Sequence, residues 1–255
     1  MAGLRTLLEY TSTGGTPENG TMTVLDVYNT SGNDVNNGGR CCQWTVPDGV
    51  TWVGVELWGG GGAGGGGCCQ HVGRPGSAGS YGRKVFAVTP GDTWTVCAGG
   101  TTCCLASCCG CQGFGSYMCK NNACCICSSA GCGGCTLCQG HCNRGNVGIN
   151  TCEQGCVVGA SMAICGIQGF AKWTYGGKCN FHSWAPGAPY AHTTGIWSGT
   201  GCQNRCGHDN QAQCQPWPGS GGMSANNASC GTTFCGAKGA QGMVTLTYIT
   251  ADSGP

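Results

Sequence analysis

The first apolar pattern in the chain with a clear period is that of "CQWTVPDGVTWVGVELWG", residues 42–59. It predicts a short strand, a Pro-Asp-Gly turn and a second strand with Val53, Val55 and Leu57 on one face and Trp52, Glu56 and Trp58 on the other. The stretch "YGRKVFAVTPGDTWTVCAGG" predicts a second hairpin that turns at Thr89-Pro90-Gly91-Asp92, with Val85, Trp94 and Val96 as its apolar positions. Near the end of the chain, "GMVTLTYIT" alternates Val244, Leu246 and Tyr248 with Thr245 and Thr247, the signature of a half-buried strand. Framework strands are therefore expected within residues 43–58, 80–98 and 242–250, and the fold class is all-β: a small β-sandwich with almost no helix.

Two regions fall outside this framework. Residues 1–40 lack cysteine and carry one strand-like run, "TMTVLDVYN", between the turn-rich flanks "TSTGGTPENG" and "SGNDVNNGG". That change of composition places a boundary at Arg40, between an N-terminal arm (1–40) and a glycine- and cysteine-rich β domain (41–255). Residues 99–239 show no long periodic segment and are read as a large, loop-rich, disulfide-rich insertion.

Composition sharpens this picture. The 255 residues include 52 Gly and 27 Cys, and only 8% are charged. Glycine in a helix interior costs about 1 kcal/mol relative to alanine, which argues against helix. Large aliphatic side chains are sparse, so the core must be small and must gain stability elsewhere; disulfides supply that, at about 2–4 kcal/mol each. A net charge of +1 provides no basic footprint for nucleic acid. No run reaches the roughly 20 apolar residues of a membrane-spanning helix. The start, "MAGLRTLLEYTSTGG", has no signal-peptide core. Disulfides in a chain made without a signal peptide imply oxidation after release by lysis; the alternative is that the cysteines hold metal.

The tract "GGGGAGGGG" runs from Gly59 to Gly67. It leaves a strand and ends at Cys68-Cys69, so both of its ends are anchored, which a flexible linker does not need. Residues Gly59, Gly60, Gly61, Gly62, Gly64, Gly65, Gly66 and Gly67 allow backbones to approach where a Cβ would clash. The expectation is threefold, polyglycine-II-like segments that hydrogen-bond side by side through their amides.

The residues "WTVPDGVTWVGVELWGGGGAGGGG" and "GAKGAQGMVTLTYI" carry a family resemblance. The chain resembles the glycine-rich domain of phage tail fibres and other virion appendage proteins and, more remotely, the polyglycine-sandwich adhesins that cap long tail fibres. The resemblance covers residues 43–100 and 236–250. It implies a non-enzymatic virion structural protein on an external appendage, commonly a homotrimer, with no cofactor. Residues 1–40 would attach it to other virion proteins, and the insertion would face a host-surface glycan or protein. Domains of this kind are usually poor in cysteine, so the stabilising chemistry here departs from the family.

The adjacent cysteines Cys41-Cys42, Cys68-Cys69, Cys103-Cys104, Cys108-Cys109 and Cys124-Cys125 point to disulfides, because neighbours on an extended chain face opposite sides and each doublet can staple two segments. Cys97 joins these structural candidates. Connectivity stays open, and the odd total leaves at least one cysteine outside intrachain pairs. Two metal readings compete. Cys132, Cys135, Cys138 and Cys142 have C-x2-C-x2-C-x3-C spacing, as in a ferredoxin run, but Asn143 stands where that run has proline and no second set accompanies it. Zinc would draw on His71, His141 or His208 beside cysteines, yet none of these clusters offers two spaced ligand pairs.

Only 10 Asp and Glu are present, and no nucleophile elbow or phosphate-loop lysine appears, so no catalytic residue is assigned. Trp173, Tyr175, Trp184, Tyr190, Trp197 and Trp217 lie in the insertion, where aromatic rings suit recognition of sugars or protein surfaces; the competing role is to fill gaps between glycine segments. The expected function is a virion appendage protein that binds the host surface. A cysteine-rich metal or redox protein and a tail-spike depolymerase are the alternatives.

Overall fold

The computed structural model describes residues 20–28, 39–68, 73–100, 110–134, 146–147, 156–168, 170–174, 180–185, 196–199, 218–222, 224, 233–234 and 236–251, and among them there is no helix. The strands, numbered in chain order, form two five-stranded antiparallel sheets. The first runs β1 (Gly20–Tyr28), β16 (Met243–Ala251), β3 (Trp52–Trp58), β5 (Tyr81–Ala87) and β11 (Met162–Ile164). The second runs β10 (Val157–Val158), β8 (Ala123–Ser128), β7 (Ser116–Lys120), β6 (Thr93–Ala98) and β2 (Arg40–Thr45). A four-stranded sheet follows β14 (Ile196–Gly199), β13 (Asn180–Ala185), β12 (Phe170–Thr174) and β9 (Asn146–Val147), and β15 (Thr233–Phe234) pairs with β4 (Gly67–Cys68).

The core lies between the two five-stranded sheets. The first sheet supplies Val53, Val55, Leu57, Val244, Leu246 and Tyr248, and the second supplies Trp44, Trp94, Val96, Met118 and Ile126. The period-two alternation of β3 is obeyed along its length: Val53, Val55 and Leu57 are fully buried, while Trp52, Glu56 and Trp58 are half-buried on the outer face. There, the Tyr81 hydroxyl donates to Glu56 Oε1 at 2.7 Å, and Arg83 stands 3.9 Å from the same oxygen.

Two sequence expectations change. The turns at Pro47–Gly49 and Thr89–Asp92 do not close hairpins. They are corners: β2 and β6 belong to the second sheet, β3 and β5 to the first. Both corners turn through a glycine at positive φ, Gly49 at 79° and Gly91 at 83°, and they are bonded together by Val46 N to Asp92 O (2.8 Å) and Gly91 N to Val46 O (2.9 Å). Because β5 pairs with β3, Val53 lies opposite Phe86 and Gly54 opposite Val85. Phe86 therefore packs against the core in the place expected for Val85.

The insertion is also richer in strands than its sequence suggests. It completes the second sheet with β7, β8 and β10 and adds β11 to the first. The β7–β8 hairpin turns on Asn121 and Asn122, both at positive φ (50° and 61°), the conformation that suits the twist of a two-residue hairpin. The strand expected in residues 1–40 is β1, which pairs with β16 over nine residues and forms one edge of the first sheet.

At one end of the sandwich the strands run on into glycine-rich segments. β3 continues into 59–66 and β8 into 129–134, while 73–80, 110–115 and 236–242 lead into β5, β7 and β16. The amides of 59–66 rotate among three neighbours. Gly59, Gly62 and Gly65 donate to Ser80, Ser77 and Arg74; Gly60 and Ala63 donate to Phe114 and Cys111; Gly61 and Gly64 donate to Ala240 and Ala237. These bonds span 2.7–3.0 Å, and each partner recurs every third residue. In return, Gly131, Gly134 and Gly222 donate to the carbonyls of Gly60, Ala63 and Gly62, so the tract is enclosed by five segments. A Cβ at Gly62 would collide with the Cys132 carbonyl, and one at Gly61 with that of Ser220.

Serines hold the junction between strands and glycine segments. The Ser116 hydroxyl donates to Trp58 O at 2.6 Å and accepts from Gly99 N at 2.8 Å, bridging the two sheets. Ser80 Oγ donates to Ser129 O at 3.0 Å. Each buried hydroxyl satisfies main-chain groups where the ladders end.

Candidate binding face and cysteine clusters

The four-stranded sheet collects three of the six aromatic candidates. Its register sets Phe170 opposite Trp184 and Trp184 opposite Trp197, one row of aromatic residues across three strands. Two residues along the register, Lys172 pairs with His182 on one side and with Asn146 on the other. Trp173 pairs with Phe181, out of step with that row. Tyr175, Tyr190 and Trp217 lie outside the described residues. Phe170 and Lys172 were not singled out by sequence, and His182 was read there as a solvated or hydrogen-bonded loop histidine, since their register with the tryptophans depends on strand pairing; the signal available was the alternation in "FAKWT" and "NFHSWA".

The outer face of the second sheet is a cysteine surface. Cys41 and Cys97 are register partners on β2 and β6 and form a disulfide. The same row continues through Tyr117 to Cys127 and Val158. Tyr117 Oη lies 3.7 Å from Cys41 Sγ. Cys42, the next residue, turns inward and packs against the core as a thiol. Burial raises its pKa, and the nearby Arg40 guanidinium partly offsets the effect. This doublet does face opposite sides, but only one member is a staple.

A bulge shapes the second group. Met118 pairs with Ile126, whereas Cys119 pairs with Cys124, which leaves Cys125 as the extra residue. Cys125 packs against the core, and the bulge returns Cys124 to the outer face with Cys119 and Cys127. Their thiols are hydrogen-bonded in a chain, Cys119 to Cys124 to Cys127. Partial burial is the main cause that pushes all three thiols above the ordinary value; a hydrogen bond from Cys124 partly offsets it at Cys119 and one from Cys127 partly offsets it at Cys124, whereas at Cys127 the neighbouring Cys124 adds to it. A further pair, Cys156 and Cys165, is hydrogen-bonded side chain to side chain, with burial raising Cys165.

Sequence reading named Cys124 and Cys125 but missed Cys119, Cys127, Cys156 and Cys165. The legible signal was "CKNNAC", in which a two-residue Asn-Asn turn places the flanking cysteines opposite one another.

The remaining candidates divide by location. Cys68 lies in β4, with Thr233 opposite; Cys69, Cys103, Cys104, Cys108 and Cys109 lie outside the described residues. Of the ferredoxin-like run, Cys132 belongs to a glycine segment, where its carbonyl accepts from Ser77 N at 2.9 Å; Cys135, Cys138 and Cys142 are outside. His71, His141 and His208 are outside as well. Among the described residues, no three His, Cys, Asp or Glu side chains are grouped so as to hold a metal ion. No helix among them is long and apolar enough to cross a membrane.

No protein-family profile matches the chain, and no curated protein sequence is significantly similar to it.

Proposed function

We propose that this chain is a non-enzymatic structural protein of a phage tail fibre or other virion appendage, and that it contacts a host-surface glycan or protein through the sheet β9–β12–β13–β14. The observation that carries the reading is the glycine tract enclosed by five segments and hydrogen-bonded with a period of three. In such a bundle, main-chain hydrogen bonds take the place of apolar packing, which suits a rigid support better than a catalytic cleft. The Phe170–Trp184–Trp197 row beside Lys172, His182 and Asn146 supplies the binding chemistry: aromatic surface for a sugar ring and polar groups for its hydroxyls. Residues 1–40 serve as the attachment element, with β1 at the sheet edge where another chain can add a strand. A homotrimer follows from the family resemblance.

Antibodies against the recombinant chain should label an appendage of intact phage particles. Label found only on lysate protein, and never on particles, would overturn the assignment. Trp184→Ala with Trp197→Ala should abolish adsorption of the purified chain to host cells while leaving its β-sheet circular dichroism unchanged. Release of new reducing ends from host polysaccharide would instead favour the depolymerase.

A further inference from the structure

We propose that the folded chain carries two oxidation sites beyond Cys41–Cys97: a cross-strand disulfide between Cys119 and Cys124, with Cys127 as the adjacent exchanging thiol, and a disulfide between Cys156 and Cys165 that ties the edges of the two sheets together. The argument for the first is geometric. Direct partners on antiparallel strands place their Cα atoms about 4.5–5.5 Å apart, inside the range a disulfide spans. Cys41 and Cys97, direct register partners in this same sheet, form their bond from the same cross-strand pairing. Cys119 and Cys124 repeat it two strands away, already hydrogen-bonded to each other. Cys124 is exposed, so a small oxidant can reach it.

The second site rests on topology. Cys156 precedes β10, at the edge of the second sheet; Cys165 follows β11, at the edge of the first. Cys156 O accepts from Ser129 N and from Ser129 Oγ, at 3.3 and 2.7 Å, which fixes its main chain against the end of β8. Both cysteines are exposed and their side chains touch. A bond here would join the two sheets covalently, which the Cys41–Cys97 bond, between neighbouring strands of the second sheet, does not do.

The oxidant is a low-molecular-weight disulfide, R–S–S–R. The Cys124 thiol loses its proton and attacks one sulfur, giving a mixed disulfide and releasing one R–SH. The Cys119 thiolate then attacks the Cys124 sulfur, forming the Cys119–Cys124 bond and releasing the second R–SH. Two protons and two electrons pass from the cysteine pair to the oxidant. Cys127 can attack the new bond at Cys124 by the same exchange. Because burial raises these thiols, the reaction should be slow at neutral pH and should still be accelerating as pH passes above the ordinary thiol value of 9.0.

The test uses the full chain, reduced, then equilibrated with oxidised glutathione, alkylated and mapped without reduction. Trypsin cuts after Lys120, and cyanogen bromide cuts after Met118 and Met162, so each proposed bond joins two separable peptides. The expected result is a Cys119–Cys124 link and a Cys156–Cys165 link, with Cys119→Ser diverting Cys124 to Cys127 and leaving the Cys156–Cys165 link in place. Should Cys119→Ser fail to fold, the wild-type map remains decisive. Persistent alkylation of Cys119 or Cys165 once Cys41–Cys97 is fully oxidised would overturn the proposal. So would links from Cys119, Cys156 or Cys165 to cysteines other than those named, or one zinc bound per reduced chain and lost on Cys119→Ser with Cys124→Ser.

Discussion

At the scale of single residues, the glycines of 59–66 are held by what surrounds them rather than by their flexibility. Gly62 donates to Ser77 O, accepts from Gly222 N and has the Cys132 carbonyl where its Cβ would be. Gly62→Val should therefore cost about 3 kcal/mol or more, through overpacking and the displacement of two buried hydrogen bonds. Thermal unfolding should show it as a large fall in midpoint or as loss of soluble protein, and a wild-type midpoint would return the tract to the status of a linker. Ala63 marks the contrast: it is fully buried, yet its methyl group is accommodated. Asp92 is another residue defined by its setting, since the Lys120 ammonium bonded to it lowers its carboxyl pKa. That interaction ties the corner after β5 to the end of β7.

Among the elements, the β7–β8 hairpin is the one most dependent on local chemistry. Asn121 and Asn122 both sit in the left-handed region, which costs an ordinary L-residue roughly 1–2 kcal/mol. Asn122→Val should lower stability by about that amount, whereas Asn122→Gly should preserve or slightly raise it. Denaturant midpoints of the two variants test this, and equal midpoints would mean that the turn conformation carries no weight. The hairpin matters beyond its own strands. Its bulge sends Cys125 inward and Cys124 outward, so one irregularity in pairing decides which of two adjacent cysteines can meet Cys119. The β2–β3 and β5–β6 corners show the opposite case, where ordinary turn residues carry the chain from one sheet to the other.

For the whole molecule, stability combines a thin apolar core, a bundle of hydrogen-bonded glycine segments and covalent closure. The Cys41–Cys97 bond spans 56 residues, and loop-entropy arithmetic assigns it about 4 kcal/mol. Cys41→Ser with Cys97→Ser should lower the unfolding free energy by that order in equilibrium denaturation; a loss near zero would show that the glycine bundle alone restricts the chain. Much of this architecture was legible in advance. The alternation in β3 and β16 identified Val53, Val55, Leu57, Val244 and Leu246 as one buried face, because side-chain direction in a strand depends only on the local backbone. The run 59–67 announced close backbone approach, because only glycine permits it. Strand partners were not legible. Val85 and Phe86 are neighbours of similar apolarity, and pairing with β3 placed Phe86 inward; the turn at Thr89–Asp92 reads the same whether it closes a hairpin or turns a corner. Likewise, the cysteines were visible as a population, but Cys41 met Cys97 only because β2 and β6 became neighbours. Local alternation is written in adjacent residues, whereas pairing is settled by competition among all strands for one shared core, and that competition exists only in the folded chain.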